Sequence, residues 1–304
     1  MTYPSGQQFE LRHGAQQAVV TEVGGGLRSY EIGSVAVLDG FEQDRMCDGA
    51  RGQTLLPWPN RLEDGRYTWA GEDQQLPLTE PERHNAIHGL TRWANWELVE
   101  RAPSTVHLRY VLHAQTGWPF VLRCDLRYTL GESGLIVETT GTNLGSAPCP
   151  FAAGAHPYLS AGSGLVDDCE LLVPGDTWLP TDDRGLPLRP KAAEGSTHDF
   201  RSPRFIGDLK LDESYTDLAR DGEGRAVVRL RRPDGTGVQL WAGAGYDYLE
   251  IFTGDTLAPA QRRRGLGVEP MTAPPNAFQS GQDLLTLQPQ HSVALTWGAG
   301  PSSS

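Results

Sequence analysis

The stretch Phe120-Val121-Leu122-Arg123-Cys124-Asp125-Leu126-Arg127-Tyr128-Thr129-Leu130 decides the class of fold. Apolar Leu122, Cys124, Leu126, Tyr128 and Leu130 alternate there with polar Arg123, Asp125, Arg127 and Thr129. A period of two sends alternate side chains to opposite faces of an extended chain, so this is a half-buried strand with one wet face. Comparable segments occur at 106–112, 135–140, 226–230, 238–241, 248–252 and 293–297. Between two of them, Arg232-Pro233-Asp234-Gly235-Thr236-Gly237 reads as a hairpin turn.

Composition extends this reading to the whole chain. The 304 residues include 36 glycines and 22 prolines, and strong helical stretches are scarce, which favours many short strands joined by tight turns. With 38% hydrophobic residues the chain can bury a sizeable core. No repeat or linker divides it, so the expectation is an all-β fold over 1–304 as one domain of two packed antiparallel sheets, with 300–304 as a loose tail.

Lys+Arg number 26 against 38 Asp+Glu, a formal charge of -12, which repels nucleic acid and anionic membranes. A neutral small molecule is the easier partner. An anionic one needs local arginines, and Arg83, Arg92 and the run Arg262-Arg263-Arg264 are the candidates. The four cysteines, Cys47, Cys124, Cys149 and Cys169, have no metal-ligand spacing, and reduced thiols in a cytoplasmic protein are the simplest account. Met1 to Arg12 lacks an apolar leader-like core.

Chemistry-bearing residues gather in a few segments. Glu269 lies between apolar Val268 and Pro270, surroundings that favour a fixed, partly desolvated carboxylate able to act as a base near neutral pH. His156, between Gly154-Ala155 and Pro157-Tyr158, is an imidazole suited to general-acid work. Trp58, Asn60 and Arg61, followed by His84, Asn85 and His88, are the donors, acceptors and apolar surface that a polyol requires. Asp212 can accept two sugar hydroxyls or cap a turn. His84 and His88 have the spacing of a zinc helix, but Asn85 stands where the catalytic Glu of that motif belongs and Gly89 follows at once. They read as hydrogen-bonding groups on a loop, with no metal.

Five ordered segments resemble the aldose 1-epimerase (galactose mutarotase-like) family, from about Gly25 to Leu285. They are Asn60-Arg61-Leu62 with Gly65 and Tyr67, His84 to Gly89, His156-Pro157-Tyr158, Leu211 to Tyr215, and Val268-Glu269-Pro270 with Pro275-Asn276. The resemblance implies a β-supersandwich, a site without cofactors, and interconversion of the α and β anomers of a free sugar. It implies Glu269 as catalytic base, His156 as catalytic acid, and Arg61, His88 and Asp212 as substrate-holding residues. On that assignment the rate falls in acid as Glu269 is protonated and in alkali as His156 loses its proton. Leu90 replaces the second glycine common in galactose mutarotases, and Pro270-Met271-Thr272 replaces a more polar stretch. A neutral aldohexose is the first expectation; a hexose 6-phosphate, sulfoquinovose, or a non-catalytic carbohydrate-binding module are the alternatives. The partner is a small-molecule sugar, with no nucleic acid and no membrane, and the assembly a monomer or homodimer.

Overall fold

The computed structural model describes residues 2–302. The alternating stretch forms the strand Leu122–Gly131, every second residue buried. It pairs with Thr105–Leu112 on one side and Gly134–Asn143 on the other. Beyond these the sheet runs on through Ser292–Pro301, Gly237–Ala242 and Ala226–Arg231, reaching nine strands among the described residues. Each alternating segment found in the sequence lies within one of these strands, apart from 248–252.

That segment is the strand Tyr248–Phe252, buried throughout. It lies at the centre of a second, eight-stranded sheet, between Asp212–Leu218 and Gly265–Met271. Leu249, Ile251, Leu266 and Val268 from this sheet share one apolar cluster with Leu108, Leu126, Val137 and Leu240 from the first. The two sheets therefore pack face to face around a common core. The opposite face of the smaller sheet is covered by irregular segments, so Tyr248–Phe252 has no wet side, which corrects its reading as a half-buried strand.

Helix is confined, among the described residues, to Ala277–Ser280 and two short 3-10 turns, Pro81–Arg83 and Val166–Asp168. None is long and apolar enough to cross a membrane. The four cysteines are free and buried. The expectation of a loose tail needs correction: the last strand continues through Pro301, with Gly300 opposite Gln239 and Pro301 opposite Val238. Ser302 N–H donates to Gly237 O at 2.9 Å, so backbone pairing holds this end in place. Residues 303–304 lie outside the described residues.

One turn ties together two of the segments that cover the smaller sheet. His88 and Gly89 both take positive φ, 62° and 72°, reversing the chain so that His88 N–H donates to Asn60 O at 2.9 Å and Leu90 N–H to Leu56 O at 2.7 Å. A Cβ on Gly89 would stand 2.0 Å from Leu56 O, so no other residue fits. Gly89→Ala is expected to destabilise the fold by more than about 1–3 kcal/mol, the cost of the left-handed backbone alone, because the clash adds to it. Urea unfolding checks this; an unchanged midpoint contradicts it.

Candidate active site

Register places the carboxylates. Asp212 lies opposite Phe252, and Ser214 opposite Glu250; Glu250 in turn lies opposite Glu269. Residues directly opposite share a face and alternate residues return to it, so Asp212, Ser214, Glu250, Phe252 and Glu269 all project from the face away from the common core. Segments 46–61, 80–93 and 156–158 cover that face and enclose a cavity of about 420 Å³, into which Glu269, His156, His88, Asn60, Arg61, Asp212 and Arg92 extend.

At its base His156 Nε2 lies 3.0 Å from Glu269 Oε1. Both are buried, at 5% and 2% exposure. Short pairing of Gly154–Ala155 with Thr54–Leu55 and with Met271 carries the chain to this point, and His156 N–H donates to Gln53 O at 3.0 Å. The imidazole stacks on Tyr158 with ring centres 5.0 Å apart and planes 13° off parallel. Arg51 covers the other part of this stack, 4.3 Å from the Tyr158 ring centre, and is itself held by Asp39 at 2.5 Å. The imidazole thus has one pose.

Burial, and then the charges of Arg92, Arg51 and Arg61, push the His156 imidazole down to about 3. Burial, then Glu250 and Asp212, hold the Glu269 carboxyl well above the usual range, against Arg61 and Arg92. A proton shared by the pair therefore rests on the carboxyl, facing a neutral imidazole. This reverses the resting arrangement expected from the sequence, because desolvation penalises both charges and the three flanking arginines oppose a further cation.

His88 is buried beside His156, ring centres 5.3 Å apart. Its Nδ1 accepts the Asn60 N–H at 3.1 Å, so the neutral ring carries its proton on Nε2 and is a hydrogen-bond donor. Burial and the Arg92 charge keep it neutral. Ligand atoms of His88, His156 and Glu269 come within 4.8 Å of one another, a spacing that invites a metal. Binding through His88 Nε2 would force a proton onto Nδ1 against the Asn60 N–H, and binding through Nδ1 would break that bond, so the set does not fit an ion.

Arg61 donates to Glu80 from Nε to both oxygens, at 3.0 Å to Oε2 and 3.3 Å to Oε1, and from Nη2 to Oε1 at 3.2 Å, with Asp212 Oδ2 3.7 Å from Nη2. Its guanidinium packs onto Gly185, where an added Cβ would stand 2.6 Å from Nη1. Arg83 lies 4.0 Å from Asp212. The arrangement offers donors and acceptors fixed at one end of the cavity.

The structure brings together six of the nine residues picked from sequence: Glu269, His156, Arg61, His88, Asp212 and Asn60. Three lie elsewhere. Asn85 is buried, its Nδ2 donating to Glu80 Oε2 at 3.0 Å and to Arg184 O at 2.9 Å. His84 is 64% exposed and bonds Asp64 at 2.7 Å, because its own positive φ of 57° turns it away from the following strand. Trp58 is in the core against Phe278, ring centres 5.4 Å apart, and the aromatic surface of the cavity comes instead from Phe252 and Trp93. Glu250, hydrogen-bonded by Ser214, was missed; burial and Asp212 raise it to about 8. The signal was its place in an otherwise apolar strand.

The sequence profile of the aldose 1-epimerase family matches residues 7–297. An uncharacterised Escherichia coli protein, YihR, is 31% identical over 288 residues, covering 93% of this chain and 90% of that protein. Rat galactose mutarotase is 29% identical over 180 residues, covering 57% of this chain and 50% of its own length. Among solved structures, an aldose epimerase homologue from C. elegans superposes with a TM-score of 0.85 at 18% identity, covering 97% of this chain and 98% of that one. Galactose 1-epimerase from Lactobacillus acidophilus gives 0.78 at 20% identity over 96% and 93%.

The charge directions set the pH dependence. If the reactive pair carries one proton, activity falls in acid only when a second proton reaches His156, whose value is depressed, and in alkali when the pair loses the proton that Glu269 holds at a raised value. kcat/KM is expected to stay flat through the ordinary values of about 4.3 and about 6.5; limbs near those values would contradict this. Glu250→Gln removes a charge that opposes Glu269 ionisation, so the alkaline limb should move to lower pH. An unmoved limb would remove Glu250 from the proton balance.

Proposed function

The chain belongs to the aldose 1-epimerase family, an isomerase family, and on that premise we propose that it interconverts the α and β anomers of a free aldohexose by ring opening and reclosure. The observation that carries this reading is the buried 3.0 Å contact of His156 with Glu269 at the base of a cavity lined by both hydroxyl-binding groups and apolar side chains.

Ring opening takes the proton from the C1 hydroxyl and gives one to the ring oxygen while the C1–O5 bond breaks and the C1–O1 bond becomes a carbonyl. The pair holds the one proton needed. When it crosses the short contact, His156 is the acid facing the ring oxygen and Glu269 the base facing the C1 hydroxyl. The aldehyde then rotates about C1–C2 and recloses from its other face, with the two groups exchanging roles. No net proton leaves, which fits a pair as buried as His156 and Glu269.

Asp212 and Arg61 hold hydroxyls in this reading, His88 donates through Nε2, and Phe252 and Trp93 cover the C–H face of the ring. The four free thiols support a reducing, cytoplasmic setting.

Freshly dissolved α-glucose and α-galactose, followed by polarimetry or NMR with a chelator present, test the reading. Accelerated approach to anomeric equilibrium, unchanged by the chelator, is expected. Asp212→Ala should raise KM more than it lowers kcat. Arg61→Ala should do the same and also lower stability, because Glu80 loses its partner. A folded protein that binds aldoses without accelerating equilibration of any would favour a binding module; an unchanged KM in both variants would remove the two residues from the site.

A further inference from the structure

The arginines near this cavity are not equivalent. Arg61 is spent on Glu80 and Asp212, Arg83 lies against Asp212, and Arg263 is locked between Asp167 and Asp255. Arg262 donates to Leu257 O, and Arg264 does not line the cavity. Arg92 does line it, yet among the described residues its guanidinium has no hydrogen bond and no ion pair; its contact is with the ring of Trp93, 5.6 Å from the centre. Trp93 is 54% exposed at the cavity wall. Its N–H donors are unshared beside this cavity, in a protein whose formal charge is -12.

We propose that Arg92 is the anchor for an anionic substituent on the substrate, so that the aldose turned over here carries a phosphate, sulfonate or carboxylate at the exocyclic carbon next to the ring oxygen. This rests on the epimerase reading of the same cavity.

The position follows from the chemistry of the ring. The ring oxygen bonds C1 on one side and C5 on the other, so a group on C6 lies beside the atom that His156 protonates. Arg92 lines the same cavity as His156 and His88, and after burial its charge is the largest influence on both. Asp212 is instead flanked by Arg61 and Arg83 and is suited to neutral hydroxyls. Burial weakens the hold of Arg92 on its own proton, and an anion in the cavity offsets that loss. A planar guanidinium matches the oxygens of all three anions.

Exchange NMR at anomeric equilibrium, with the uncatalysed rate subtracted, compares glucose and galactose with glucose 6-phosphate, 6-deoxy-6-sulfoglucose and glucuronate. At least one anionic aldose should exceed glucose in kcat/KM by about 10–100-fold, the worth of charge-assisted hydrogen bonds, and the advantage should shrink with added salt. The three anions separate phosphate, sulfonate and carboxylate as the source. Arg92→Gln should erase the advantage and Arg92→Lys restore part of it, a rescue that misfolding would not give. Turnover of neutral aldoses with no anionic preference, or a preference that survives Arg92→Gln, overturns the proposal and leaves the epimerase reading standing. Conversely, no turnover of any sugar, with calorimetric binding of an anionic aldose to Glu269→Gln that Arg92→Gln abolishes, sinks the epimerase reading and upholds the anion site.

Discussion

Everything at this site depends on two ionisable side chains placed in contact where burial leaves them little water. A carboxylate and an imidazolium each lose several kcal/mol of hydration on such burial, and neither is stable there alone. Together His156 and Glu269 can hold a single proton and remain neutral, which removes most of that cost. The same single proton makes them an acid and a base: it rests on Glu269 and crosses to His156, against that residue's depressed value, for ring opening to begin.

The rest of the fold supports that pair. Face-to-face packing leaves the second sheet with a free face, and the register of three neighbouring strands puts Asp212, Glu250 and Glu269 on it. Three carboxyls so close would repel if all were ionised, so burial and mutual charge keep protons on the inner ones. Arginines then balance what remains: Arg61 through Glu80 and Asp212, Arg51 through Asp39 and the Tyr158 ring. Rigid backbone turns such as His88-Gly89 fix the donors opposite.

Period-two alternation made the outer sheet legible, because one face of each strand there is partly wet, as in Leu122–Gly131. In Gly265–Met271 every residue is buried, so no alternation marks the strand and Pro270 reads as an interruption. Glu269 and His156 stood out through their neighbours, and six of the nine residues picked come together in one cavity. His84 and Trp58 were misplaced because residue type and proximity in sequence do not reveal direction: a left-handed turn sends one outward, and the core takes the other. Glu250 needed the pairing of two strands distant in sequence, which a single chain does not display. Singling out Arg92 among the arginines likewise required knowing which of the others already had partners.

The central claim is that one proton, shared by His156 and Glu269, drives both halves of the reaction. Its most direct test is a double-variant comparison by anomeric exchange NMR on a sugar that the native protein turns over. Glu269→Gln keeps shape but cannot take the proton, and His156→Asn cannot deliver it, so each should lower kcat by about 10²–10⁴-fold with the fold retained. Because both act in one step, the double variant should be little slower than the worse single one. Folded single variants with near-native rates, or losses that multiply in the double variant, would contradict the account.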